Sequence, residues 1–286
     1  KKYGADILRI WVASSNYAED LRIDYSILDQ HSESYRKIRN TFRYLLGNLN
    51  DSYKDLNLEE INLDELPELE QLMLHKIYCL NSSFNRYFGS YDFHNLYKEL
   101  LNFCTVDLSA FYFDIRKDTL YCDPLSSQKR KSTLLVLNII LQCLLKWFAP
   151  ILSFTTEEIY QLVSKKKNSI HLENFLNVPK KFENLELNEK WSQLLKIRDV
   201  CNLSIEEKRA SKEIGSSLEA AITIKINKQK LKILEGVDFA ELCITSLAEI
   251  KFHDTDEIDV QTNKAQGNKC PVCWKISEEP CQRHGH

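Results

Sequence analysis

Hydrophobic residues recur at helical spacing through most of the chain, and at clear strand spacing only late in it. A short helix over residues 6–12 and a polar connector over 18–24 lead into a long helix. Its N-cap is expected at Ser26, with Asp29 in the first turn. Tyr35, Ile38, Phe42, Leu45, Leu46 and Leu49 share one broad face of this helix, which should stop near residues 48–51. Pro67 then opens a second long helix carrying Leu69, Leu72, Met73, Ile77 and Leu80, and Gly89-Ser90 ends it. Asp92 caps a third, with Leu96, Leu100 and Phe103 inward. At the same period Leu108, Phe111, Tyr112 and Ile115 line one side of the next segment, which leaves Asp114, Arg116, Lys117 and Asp118 on its other sides. After Pro124 comes the most apolar helix, residues 126–148, where Asn138, Gln142 and Lys146 form one edge expected to be wet. Thr155-Thr156-Glu157-Glu158 caps a short helix after Pro150.

Residues 26–164 therefore read as an all-α bundle with short links. The pattern changes at Ser164-Lys165-Lys166-Lys167-Asn168. A helix over 188–212 turns Trp191, Leu194, Leu195 and Ile197 inward, and Ile222, Ile224 and Ile226 then alternate with Thr223 and Lys225 as a half-buried strand. Short helices are expected over 231–234 and 239–247, with a partner strand over 249–252. The fold class is mainly α: a helical bundle, a small α/β unit and a cysteine-rich tail, with boundaries at 1–25, 26–164, 165–262 and 263–286.

Composition narrows this further. With 286 residues the chain has room for about two domains, and only 7 Gly and 6 Pro favour long helices over a loop-rich sheet protein. The net charge of −3 carries no global nucleic-acid signal, so any RNA surface has to come from local clusters. One such cluster is Arg36, Arg39 and Arg43, spaced three and four apart beside the apolar face of the long helix. A stripe like this can meet phosphates in register, or it can be a solvated flank; spacing alone leaves both open. Lys129-Arg130-Lys131 and Lys165 to Lys167 are further basic runs. The polar edge and Pro150 argue against reading residues 134–154 as a membrane span, and the chain reads as cytoplasmic with no membrane partner.

The nine cysteines are unevenly spread. Cys79, Cys104, Cys122, Cys143, Cys201 and Cys243 stand singly among mostly apolar neighbours, as core-filling thiols of a reducing compartment do. Cys270-Pro271-Val272-Cys273 is instead a knuckle whose two thiolates can turn onto one metal, and Cys281-Gln282-Arg283-His284 can supply the third and fourth ligands of a structural tetrahedral zinc. His286 competes with His284 for the fourth place, and a tail of reactive thiols is the alternative to a metal site. Trp274, flanked by Lys269, Lys275 and Arg283, is either a stacking platform for an unpaired base or a lid folded over the metal.

Catalytic constellations are absent from the sequence: no glycine-rich phosphate loop, no Gly-x-Ser-x-Gly elbow, no His-Glu-x-x-His helix. Glu157-Glu158 and Glu206-Glu207 are adjacent and so point apart on a helix. His31, His75, His94, His171 and His253 have no assignable partner. Such a chain is not expected to catalyse a reaction alone.

Several blocks resemble the C-terminal part of bacterial-type isoleucyl-tRNA synthetases, class I aminoacyl-tRNA synthetases. They are Tyr3-Gly4-Ala5-Asp6-Ile7-Leu8-Arg9-Ile10-Trp11, Tyr35-Arg36-Lys37-Ile38-Arg39-Asn40-Thr41 and Asp107-Leu108-Ser109-Ala110-Phe111-Tyr112-Phe113-Asp114-Ile115-Arg116-Lys117-Asp118. Ala149-Pro150-Ile151-Leu152-Ser153-Phe154-Thr155, Ile214-Gly215-Ser216-Ser217-Leu218-Glu219 and Cys270-Pro271-Val272-Cys273-Trp274 follow in the family's order. The resemblance implies a stem-contact region over 1–25, an anticodon-binding bundle over 26–164, a junction domain over 165–262 and a zinc-binding tail over 263–286. It implies tRNA(Ile) as partner, with its anticodon arm met by Arg36, Arg39, Arg43, Trp274 and Lys275, and no DNA. One zinc on Cys270, Cys273, Cys281 and His284 is the implied cofactor. The family's second ligand pair is commonly Cys-x-x-Cys after a longer loop, so the Cys281-x-x-His284 pair departs from its pattern.

The HIGH and KMSKS motifs of the family's ATP- and Mg-dependent catalytic domain do not occur in this chain, nor does an editing domain. The resemblance thus implies a piece of a monomeric ligase, inactive by itself, that partners the catalytic and editing domains of the same polypeptide. A free-standing tRNA-binding paralogue and a helical protein-binding scaffold with a zinc knuckle are the rival readings.

Overall fold

The structure is a computed structural model that describes residues 2–49, 53–54, 56–164, 168–254 and 256–284. The lysine run at 165–167 and His286 lie outside the described residues. The chain divides into two compact units, the first made of Lys1–Arg116 and Leu125–Asn184, the second of Lys117–Pro124 and Leu185–His286.

The first unit is helical. Its elements are α1 (Ala5–Ser14), α2 (Tyr25–Leu49), α3 (Glu68–Gly89), α4 (Phe93–Asn102), a π-helical stretch (Phe103–Tyr112), the first residues of α5 (Phe113–Cys122), α6 (Gln128–Phe148) and α7 (Ser153–Val163). Helix α6 is long and apolar enough to cross a membrane by length and composition. Here it is the core: Val136, Leu137, Ile139, Ile140, Leu141, Leu144, Trp147 and Phe148 are fully buried. Against it pack α2, through Phe42 edge-on to Phe148, and α3, through Phe84 and the Asn81 amide that accepts from the Trp147 indole N–H at 3.2 Å.

Four local readings are corrected by tertiary contacts. Asp24, rather than Ser26, caps α2: its Oδ1 accepts from the Ile27 N–H at 2.8 Å and from the Ser26 hydroxyl at 2.7 Å. The expected wet edge of α6 is mostly dry, since Asn138 and Gln142 are buried and both side-chain amides donate to the Lys54 carbonyl, at 2.9 and 2.7 Å. Thr155 and Thr156 lie inside α7, and that helix is capped from a distance: Asp6 accepts from the N–H groups of Phe154 and Thr155 and from the Thr155 hydroxyl. A carboxylate facing the positive end of a helix satisfies two of its orphan donors.

The fourth correction is Arg116. Expected on a side away from the core, it is 2% exposed. Arg116 follows Tyr112 by four residues, about one α-helical turn, and so shares the inward side of that buried residue. Arg116 therefore points inward onto Glu70 of α3, which is also fully buried: its Nε donates to Oε1 at 2.7 Å and the second arm reaches Oε2 at 2.5 Å. Glu70 Oε1 also accepts from the hydroxyls of Tyr112 and Thr133, each at 3.1 Å. Burial and the Glu70 charge push the Tyr112 phenol well above its ordinary range.

The second unit is built on α8 (Leu185–Ala210) and a three-stranded sheet of β1 (Ala220–Ile226), β2 (Leu247–Phe252) and β3 (Asp259–Lys264), in the order β2-β1-β3. Strand β1 pairs parallel with β2 (Ile224 opposite Ile250) and antiparallel with β3 (Ile224 opposite Val260). The parallel pair requires a crossover, provided by α9 (Lys228–Leu234) and α10 (Phe239–Leu242). Ala220, Ile222, Ile224 and Ile226 form the buried face of β1. Leu194, Ile197, Cys201 and Ile205 are the buried stripe of α8, which packs on β1 and β3. Strand β3 escaped the pattern because its sequence, DVQTNK, carries one apolar residue and is exposed on most positions. Its Val260 carbonyl and Thr262 hydroxyl are held by Ser204 of α8. A two-stranded hairpin, β4 (Asn268–Lys269) and β5 (Ile276–Ser277), completes the unit.

Candidate functional site

The hairpin β4–β5 frames the Cys270-Pro271-Val272-Cys273 knuckle. The Cys270 N–H donates to the Lys275 carbonyl at 2.9 Å and the Trp274 N–H to the Cys270 carbonyl at 3.0 Å, closing the turn. Gly267 leads into it at φ 113°, where an added Cβ would collide with the Ser277 carbonyl. Only glycine fits there.

The tail brings the second pair onto the first. The ligand atoms of Cys270, Cys273, Cys281 and His284 all lie within 4.8 Å of one another. Cys273 and Cys281 sulfurs are 3.9 Å apart, and His284 Nδ1 is 3.6 Å from the Cys270 sulfur and 3.3 Å from that of Cys281. Tetrahedral zinc bonds imply S–S edges of about 3.8 Å and S–N edges of about 3.6 Å, so the donor set fits such an ion. His284 Nε2 lies 2.9 Å from the Cys122 carbonyl, which can only accept. The ring proton therefore sits on Nε2, and Nδ1 presents its lone pair to the sulfurs. The four residues can hold a metal ion.

The thiols differ in proton affinity for local reasons. The Cys273 N–H, then that of Val272, pulls the Cys270 thiol down to about 6. Burial lifts Cys273 to about 11. For Cys281 burial raises the value, but the amides of Arg283 and His284 outweigh it and the net shift is downward. A cation at the centre would make all three thiolates.

Next to the knuckle Trp274 is 59% exposed, so it does not fold over the sulfurs. It stands at φ 64°, a left-handed conformation uncommon for a bulky residue. Lys269 Nζ lies 5.5 Å from the ring centroid, covering one face. Lys275 is half-buried.

In the first unit, Arg36, Arg39 and Arg43 are all exposed on α2, beside the buried Ile38, Phe42 and Leu45. Arg36 pairs with Glu33 at 2.5 Å. Arg39 donates to the Tyr35 hydroxyl at 2.9 Å and reaches Glu158 of α7 at 3.5 Å, and the Tyr35 hydroxyl in turn meets Thr155. The stripe is thus held at its middle by the same α7 terminus that Asp6 caps.

Cys104, Cys143, Cys201 and Cys243 fill the core, whereas Cys79 is exposed and Cys122 half-buried, against expectation. The His75 ring, unpartnered in the sequence reading, accepts the Asn184 N–H at 2.9 Å through Nδ1. The carboxylates Asp118 and Asp123, which hold Arg283 beside the tetrad, carried no sequence signal, because their partner lies 165 residues away for Asp118.

A family profile for the anticodon-binding domain of tRNA ligases matches residues 70–225, more than half of the chain. The isoleucine–tRNA ligase of Pelagibacter ubique (strain HTCC1062) is 67% identical over 284 residues, which cover 99% of this chain and 31% of that protein. Those of Bartonella henselae and Agrobacterium fabrum are 41% and 40% identical over 290 residues, in each case 98% of this chain and 30% of the relative. The chain therefore spans about a third of the length of these curated relatives. The matched profile runs from α3 to β1 and so takes in parts of both units, and on that match the chain belongs to the anticodon-binding domain family of tRNA ligases.

Proposed function

We propose that this chain is the tRNA-recognising part of an isoleucine–tRNA ligase, a soluble, cytoplasmic and monomeric enzyme whose whole polypeptide attaches isoleucine to tRNA(Ile) using ATP. The observation that carries the reading is the 67% identity to one such ligase across 99% of this chain. In this reading ATP and magnesium belong to the catalytic region of the longer polypeptide, and the present chain binds the anticodon arm. Arg36, Arg39 and Arg43 meet phosphates, and the open face of Trp274, with Lys275, takes a loop base. Zinc is held by Cys270, Cys273, Cys281 and His284, and supplies a rigid tetrahedral cross-link rather than chemistry.

A gel shift with tRNA(Ile) at two or more salt concentrations tests this. Log affinity should fall linearly with log salt, and each arginine that meets a phosphate should lower the slope by about one unit when replaced with Ala. Unchanged affinity in the triple variant removes the arginine stripe from the interface. No binding by the intact chain overturns the RNA reading in favour of a protein-binding scaffold.

A further inference from the structure

Arg283 stands between the ligands Cys281 and His284 and contributes no atom to the tetrad. Its guanidinium grips both oxygens of Asp118, at 2.5 and 2.9 Å, and reaches Asp123 at 3.2 Å. These acids flank Cys122, whose carbonyl accepts from His284 Nε2 and whose thiol donates to the Val272 carbonyl at 3.6 Å, inside the first ligand pair. Residues 118–123 thus touch both halves of the tetrad, across separations of 150 to 165 residues. A planar guanidinium held bidentately has little rotational freedom, so the backbone on either side of it is fixed as well.

We propose that the end of α5 and the two residues after it form a protein-built seat for the metal, with Asp118 and Asp123 as positioning residues that act through Arg283 on Cys281 and His284. The inference rests on the reading of the tetrad as a zinc site but not on RNA binding. Outer contacts of this kind set how tightly ligands hold a metal without changing which ligands they are. Exposure sharpens the point: the Asp123 carboxylate is 10% exposed and that of Asp118 25%, so the pairing is shielded more than an ordinary surface bridge.

The test uses the full chain loaded with zinc, and follows metal transfer to a chromogenic chelator at neutral pH. Variants are Asp118→Asn with Asp123→Asn, Arg283→Lys, and as reference Asp259→Asn, which breaks the Lys225 pair elsewhere in the same unit. The double variant should release zinc about 10- to 100-fold faster than the parent, Arg283→Lys should fall between, and the reference should match the parent. Cobalt-loaded forms of all of them should give the same tetrahedral three-sulfur, one-nitrogen spectrum, which shows that the folded ligand set is retained. Release rates within about twofold of each other across the set would overturn the seat. A changed cobalt spectrum in the double variant would overturn its assignment as a positioning device. If the parent takes up no zinc at all, the metal reading falls first, and the seat with it.

Discussion

Removing the Glu70 carboxylate is the most direct test of how the helical unit is held together. Glu70 and Arg116 are 0% and 2% exposed, joined by hydrogen bonds of 2.7 and 2.5 Å, with the Tyr112 and Thr133 hydroxyls on the same oxygen. Coulomb attraction at such a distance, with an effective dielectric of about 20, amounts to roughly 6 kcal/mol before desolvation is subtracted. In Glu70→Ala the guanidinium stays buried and loses both of its carboxylate contacts, while Thr133 still donates to the Lys129 carbonyl at 2.9 Å. Breaking one side of a buried pair costs about 3–5 kcal/mol. For a unit of this size that corresponds to a fall in Tm of about 6–20 °C. The triple change Glu70→Leu, Arg116→Met, Tyr112→Phe removes the charges together at similar volume and should recover most of the loss. Thermal and urea unfolding, followed through the buried Trp147, give the two numbers. A loss under about 1 kcal/mol for the single variant, or a triple variant no better than the single, would refute the argument that the lost Glu70 contacts of the buried guanidinium are the cause.

Further expected outcomes concern the cap, the knuckle and the metal. Asp6→Ala should destabilise the first unit by about 0.5–2 kcal/mol in urea, because two N–H groups of α7 lose their acceptor. Trp274→Gly should keep its zinc, since glycine suits φ 64°, and yet lower tRNA affinity by about 1–3 kcal/mol if a base stacks on the ring. At pH 8 zinc binding should release protons, chiefly from Cys273, whose thiol burial holds up, rather than from Cys270, whose thiol backbone N–H groups hold down; titration calorimetry in buffers of different ionisation enthalpy counts the total, and a release of none would refute this. The Asp118 carboxyl, raised by burial but lowered more strongly by Arg283, titrates below its ordinary value. Its contribution is present above the unfolded carboxylate pKa and lost as pH falls through the lower folded one, so the effect of Asp118→Asn on zinc release should be constant from pH 8 to about 5.

Much of this protein was legible one residue after another. Helical periodicity located α2, α3, α4 and α6, the alternation of Ile222, Ile224 and Ile226 located β1, and cysteine spacing located the tetrad. These signals are local: they depend on which face a residue takes within one or two turns, and the tetrad is written in two short motifs eleven residues or so apart. Tertiary structure alone decided the rest. Arg116 met a buried glutamate 46 positions away, Asp6 became the cap of a helix 149 positions on, and Lys54 filled the expected wet edge of α6. The seat at Asp118 and Asp123 belongs to the same class. Polar groups have no periodic signature of their partners, because a buried charge or an orphan N–H is satisfied by whatever the fold brings within about 3 Å, at any separation in sequence.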